Sequence, residues 1–391
     1  MAATLAELKR SQEQNVVKGT VNAEGNYPRK EIDHFIRDVD TCNLFLLALR
    51  ELQDQKYEQD PWSWFGVASI HGIPYQSWQN IDQQTAIDAG QFPAAPGDPR
   101  FMPGNQAGNA EEGYCSHTSV LFPTWHRPYM AMMEQTIFLK IADIASRYKR
   151  TADRQRYQAA AKIFRLPYFD PMVARVLLEP QGTQPLLWRC GAPQILSSDT
   201  VRVKKPTSPD MWSNIPNPLY SYKFAESKKG VPKYRFDGAL PFKWTGLWAP
   251  QMRPLHVPRP GMVTPNMRTV RTPDEDSGVS DHRRLQRQWE PTMANAGVNL
   301  YALFAQANTT TYRQFSQKLF AKEVRTNVNP RDAATNAIRD RTIEAFHDTG
   351  HAWLGAAESN TGVTGHMVLP RYASYDPVFW LHHWYDVLSQ S

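Results

Sequence analysis

The chain has 391 residues, a formal net charge of +6 with histidine neutral, 41% hydrophobic residues and 12% aromatic residues. That composition can bury a sizeable core, which excludes a wholly disordered chain, and no run approaches the ~18 uninterrupted apolar residues that cross a bilayer. The N-terminus lacks the apolar stretch of a secretory signal, and three cysteines (Cys42, Cys115 and Cys190) build no disulfide framework, so a soluble cytoplasmic protein is expected.

Residues 1–29 are polar and read as a loose arm. Residues 31–57 carry apolar side chains at helical spacing, and 60–71 read as a second short helix stopped by Gly72 and Pro74. Residues 74–115 are rich in Gly, Pro, Asn and Gln and read as a long loop. The clearest helix is 124–149, entered after Pro123, and 153–164 continue helically. Sixteen of the 30 prolines then fall within 171–273. An interior proline removes a backbone donor and clashes with the preceding turn, so loops and short strands are expected there. Helical patterning resumes at 281–306, 311–320, 331–354 and 376–388, the last opened by Asp376 as N-cap and Pro377 in the first turn. The expected layout is the arm 1–29 and one mainly α domain over 30–391, interrupted by the irregular insertion 171–273.

The basic residues are scattered, as at Lys204-Lys205, Lys228-Lys229 and Arg283-Arg284, and sit in no nucleic-acid motif. Neither nucleic acid nor membrane is an expected partner. The histidines are more informative. His347 and His351 are four apart, which on a helix places both rings on one face, where they can converge on one metal ion. The earlier helices offer His71, His117 and His126, and the last helix offers His382 and His383. An imidazole-rich set without a cysteine cluster or a carboxylate pair suits copper, zinc, iron or nickel. His34, His256, His282 and His366 are assigned no metal role. In a helix His382 would point ~100° away from His383, so one of the two must miss the metal.

Around these histidines the sequence resembles a known family. Gly113–Tyr129, which holds Cys115, His117, Phe122 and His126, resembles the first copper region of fungal-type tyrosinases, and Gly365–His383 resembles their second. Asn217–Phe224 is similar to a family segment between the two. The resemblance runs in the same order from about residue 30 to 383 and implies a type 3 dicopper protein: a four-helix bundle holding the metals, with long Pro-rich loops and a few short strands.

By that resemblance, His71, His117 and His126 would hold one copper, and His347, His351 and His383 the other. Cys115 would form a thioether with His117. Phe122 and Phe379, each four residues before a ligand, would limit ring rotation. Glu344 would hold a water near the metals, with Asp348 beside it, and Met367 and Pro370 would shape the mouth of the site. The implied cofactors are two copper ions with O2 as co-substrate, and the implied activity is oxidation of small phenols and o-diphenols to o-quinones. Asp348 stands where family tyrosinases often carry Asn, which makes diphenol oxidation the firmer expectation. A haemocyanin-like oxygen carrier and an inactive, copper-poor truncated scaffold are the alternatives. After His383 the chain reads Trp384 to Ser391 where the family usually shows Asn-Val-Asp-Arg, and the family's C-terminal shielding domain is expected to be absent. Oligomeric state is not legible.

Overall fold

A computed structural model of the chain describes residues 5–20, 27–54, 56, 60–72, 78, 115, 117, 119–176, 188–224, 253–254, 268–272, 280–305, 311–316, 341–355, 363–368 and 370–388. Most of the expected loop 74–115 and residues 331–340 of the expected late helix lie outside the described residues.

Over residues 5–20 the polar N-terminal stretch is not a loose arm. It holds helix α1 (Leu5–Glu13), which buries Leu8, and then runs along a later helix, α5 (Phe122–Ser146). Gln135 of α5 accepts from the main-chain N–H of Lys18 and Gly19 at 2.8 and 3.2 Å and donates to Val16 O. Backbone groups so satisfied replace water, and because the partners are main-chain groups, the polar composition that suggested an arm gives no sign of them.

The helix expected over 31–57 divides into α2 (Ile32–Phe35) and α3 (Val39–Leu52), because Asp38 at φ −81°, ψ 82° leaves the helical region. α4 (Trp64–His71) is capped by Ser63, whose hydroxyl accepts from Gly66 N–H. In α5, Pro123 occupies the first turn, where its missing N–H costs nothing. α6 (Thr151–Lys162) follows. α3 packs on α5 and α6, with Phe35, Phe45 and Phe164 in ring contact at 5.3 and 5.8 Å. Each such fully buried ring contributes ~1.5–3 kcal/mol of transfer free energy.

The Pro-rich insertion holds short strands, as its composition predicts. β1 (Ala174–Val176) pairs antiparallel with β2 (Trp188–Cys190), and β3 (Thr200–Lys205) pairs with β4 (Ser208–Pro216). A third pair is parallel, β5 (Arg253–Pro254) on β6 (Val363–Thr364). The remaining helices are α7 (His282–Ala305), α8 (Tyr312–Ser316), α9 (Ile343–Leu354), α10 (Pro370–Ala373) and α11 (Pro377–Leu388). Asp376 caps α11, its Oδ1 accepting from Val378 N–H at 3.0 Å. Among the described residues no helix is long and apolar enough to cross a membrane. α4, α5, α9 and α11 carry the histidines toward one another.

Candidate metal centre

Each ring reaches the centre by a local device. His71 is the last residue of α4, just before Gly72 ends the helix. Its Nδ1–H donates to Pro370 O at 2.9 Å. His126 and His383 each donate back one turn along their own helix, to Phe122 O and Phe379 O, both at 2.8 Å. His351 Nδ1–H donates to Met367 O at 2.6 Å. A ring whose Nδ1 carries the proton presents the lone pair of Nε2, so these main-chain carbonyls orient four imidazoles by the same rule.

The rings form two triangles. His71, His117 and His126 have centroids 5.8, 6.0 and 5.8 Å apart. His347, His351 and His383 have centroids 4.4, 4.7 and 5.1 Å apart. The triangles share a boundary: His126 lies 5.0 Å from His383 and 5.7 Å from His347, and His117 lies 5.7 Å from His347. Candidate ligand atoms gather accordingly in three overlapping groups: His71 with Cys115, His117 and His126; His126 with His347 and His383; and His347 with His351 and His382. The expected six rings are therefore brought together in one cluster.

Burial makes this cluster demanding. The rings of His71, His126, His347 and His383 are almost wholly out of water. His351 shows an outer edge to solvent, but its Nε2 is buried. Burial, reinforced by neighbouring imidazoles, pushes His126 and His351 down to about 3, and holds His71, His347 and His383 well below their ordinary value. The rings are thus neutral at pH 7 and offer lone pairs.

Several of these lone pairs have no proton to meet. Nε2 of His71 and Nε2 of His351 are buried without a hydrogen-bond partner. His347 Nε2 and His383 Nε2 face each other at 2.9 Å, although His383 commits its Nδ1 proton to Phe379 O and His347 lies 3.2 Å from Asp348 Oδ1 through its own Nδ1. Buried unpartnered acceptors cost ~1–3 kcal/mol each, and a cation between them removes that cost. The donor set fits a pair of copper ions: neutral imidazoles, with a thiol at the edge.

Cys115 is fully buried. Its Sγ lies 3.7 Å from His117 Nε2 and 3.3 Å from His126 Nε2, so the sulfur stands between two rings. Phe122 touches His126 at 4.5 Å and also His347 at 4.7 Å. Phe379 stacks on His383 at 3.7 Å and meets His71 edge-on at 4.9 Å. Each phenylalanine thus wedges against a ring of both triangles, which sequence spacing alone does not reveal. Glu344 is buried in the first turn of α9, one turn before His347. Met367 is fully buried; it and Pro370 serve the centre through their carbonyls, holding His351 and His71. That role has no side-chain signal in the sequence.

Helical geometry requires one of His382 and His383 to miss the metal, and the structure still draws His382 into the cluster. Its ring is buried beside His347 and His351, and its Nε2–H donates to His347 O at 3.1 Å. It fits because Gly350 has no side chain: a Cβ there would stand 2.2 Å from His382 Cε1. The glycine inside α9 was the available signal. Of the histidines given no metal role, His34 is exposed, His366 accepts from Val270 N–H through Nδ1, and His256 lies outside the described residues.

Comparisons with known proteins agree with this centre. Residues 61–386 match the family model described as the common central domain of tyrosinase. The chain is 30% identical over 342 residues to a tyrosinase of Neurospora crassa, covering 87% of this chain and 39% of that protein. It is 27% identical over 366 residues to a tyrosinase of Podospora anserina, covering 93% and 50%, so it spans about half the length of the curated relatives it matches. Among solved structures, Aspergillus oryzae holo-protyrosinase superposes with a TM-score of 0.64 at 21% identity, covering 96% of this chain and 61% of the other. A latent and active mushroom tyrosinase superposes with a TM-score of 0.61 at 24% identity, covering 96% and 75%. At these identities the structural likeness speaks for the fold.

Proposed function

This chain belongs to the tyrosinase family, and from that premise we propose that it oxidises o-diphenols to o-quinones with dioxygen at two copper ions. His71, His117 and His126 would hold one ion, and His347, His351 and His383 the other. The observation that carries the reading is the pair of adjoining imidazole triangles, in which Nε2 of His71 and of His351 is buried without a hydrogen-bond partner and Nε2 of His347 faces Nε2 of His383.

Copper bound there would supply the binding and reduction of dioxygen and the two-electron oxidation of the phenolic ring. The rest falls to side chains of this chain. The Nδ1 hydrogen bonds of His71, His126, His351 and His383 fix those rings and leave Nε2 free to hold the ions. Phe122 and Phe379 fill the space between the rings, restrict their rotation and exclude water. Cys115, beside His117, would tie that ring through a thioether. A phenol must lose a proton of pKa ~10 to bind as phenolate, and the Glu344 carboxylate would receive it through a held water. Hydroxylation of monophenols needs that same transfer and is the finer part of the proposal.

Copper-loaded protein supplied with 4-tert-butylcatechol or L-tyrosine in an oxygen electrode tests the reading. Oxygen uptake with quinone formation from the catechol supports it. Two bound coppers with no oxygen consumption overturn it, and reversible oxygen binding without quinone identifies a carrier instead.

A further inference from the structure

Four of the histidines hand their Nδ1 proton to a main-chain carbonyl, a dipole without net charge. His347 differs: its Nδ1 lies 3.2 Å from Oδ1 of Asp348, the next residue on α9. His347 is also the junction of the centre, in ring contact with His351 and His383 of its own triangle and with His117 and His126 of the other. The imidazole is 1% exposed and the carboxylate 35%. The anion therefore keeps part of its hydration while its charge reaches the middle of a dry cluster through one ring.

We propose that Asp348 is a positioning residue for the metal pair: its hydrogen bond to His347 Nδ1 sets the nitrogen that His347 presents and makes that nitrogen a stronger donor to Cu(II). This rests on the dicopper reading above and deepens it, since Asp348 then acts through His347 rather than on a water. The chemistry is that of a carboxylate–histidine–metal relay, in which a hydrogen-bonded anion raises the basicity of the ligating imidazole. A doubly charged ion gains more from the added electron density than a singly charged one. Asparagine at 348 keeps the shape and an acceptor oxygen but loses the charge, so it separates the two contributions.

The test uses the full chain and its Asp348→Asn and Asp348→Glu variants, stripped of metal and reloaded with copper. Cu(II) affinity is read by competition with a chelator of known affinity, and Cu(I) affinity by competition with a cuprous chromophoric chelator under anaerobic, reducing conditions. For Asp348→Asn, one of the two Cu(II) ions is expected to bind about 10–100-fold more weakly, with the other ion unchanged. Its Cu(I) affinities fall less, and the unfolding midpoint of the metal-free protein stays put. Asp348→Glu, which restores the carboxylate, recovers most of the loss. Wild-type Cu(II) affinity at both positions in Asp348→Asn overturns the proposal. So does an equal loss of Cu(I) and Cu(II) at both positions, which marks a general structural defect. A wild-type chain that binds no copper removes the dicopper reading itself, and the proposal with it.

Discussion

Arg29 lies over the indole of Trp384, its guanidinium carbon 3.4 Å from the ring centroid, and Trp384 directly follows His383. The same guanidinium pairs with Glu134 of α5, the helix that carries His126. One N-terminal side chain thus joins a helix from each half of the metal centre. Glu134 is buried and also accepts from Leu166 N–H at 3.1 Å. Arg29→Ala leaves that carboxylate buried without its cation, and the expected loss is ~3–5 kcal/mol. Urea unfolding of the metal-free protein measures it; an unchanged midpoint would show that the N-terminal segment carries no structural weight.

Gly350 sets two effects against each other. Alanine favours a helix over glycine by ~1 kcal/mol, whereas an overpacked core costs ~1–3 kcal/mol. Here the added Cβ would meet His382 Cε1 at 2.2 Å and Nε2 at 2.7 Å, and withdrawing the buried ring would break its hydrogen bond to His347 O. The clash is expected to win, so Gly350→Ala lowers the melting temperature of the metal-free protein. A higher melting temperature would contradict this packing.

Arg271 anchors the start of α11 from the Pro-rich insertion. Its Nε and Nη2 donate to Asp376 Oδ1 at 2.8 and 2.6 Å, and Nη1 and Nη2 also donate to Leu196 O and Leu219 O at 3.0 and 2.7 Å. Both partners are buried, at 1% and 0% exposure. Arg271→Met strands the Asp376 charge and is expected to cost ~3–5 kcal/mol, whereas removing both charges recovers much of it. A double-mutant cycle with Asp376→Asn reads the coupling, and strictly additive losses would refute it.

Acid is expected to undo the centre. In the unfolded chain the imidazoles take protons near pH 6.5, but in the folded chain His126 and His351 do so only near 3. Between those values the unfolded state binds more protons, so stability falls as pH falls from about 6.5 toward 3. Each buried ring contributes a slope of about 1.4 kcal/mol per pH unit within that window. Copper also requires neutral rings, so its affinity drops in the same direction. Metal analysis after dialysis at about pH 3, where the folded rings begin to take protons, is expected to show lost copper; retention of both ions there would oppose the reading.

Much of the centre is local and therefore legible in the chain. The four-residue step from His347 to His351 places two rings on one helical face whatever surrounds the helix, and the same step from Phe122 to His126 and from Phe379 to His383 puts each aromatic beside its ligand. Asp376 and Pro377 mark a helix start by chemistry that acts within one turn. The prolines of 171–273 exclude long helices there by removing donors.

What helical periodicity fixes is a direction around one axis; it says nothing of which axis lies alongside. The docking of residues 5–20 on α5, the seat of His382 in the space left by Gly350 and the carbonyls of Met367 and Pro370 that aim His351 and His71 all join residues distant in sequence or depend on the packing of separate helices. The pairing of rings from the two triangles is decided in the same way. Each of these is set by how buried surfaces meet and by which polar groups find partners once water is gone, and those are properties of the assembled fold.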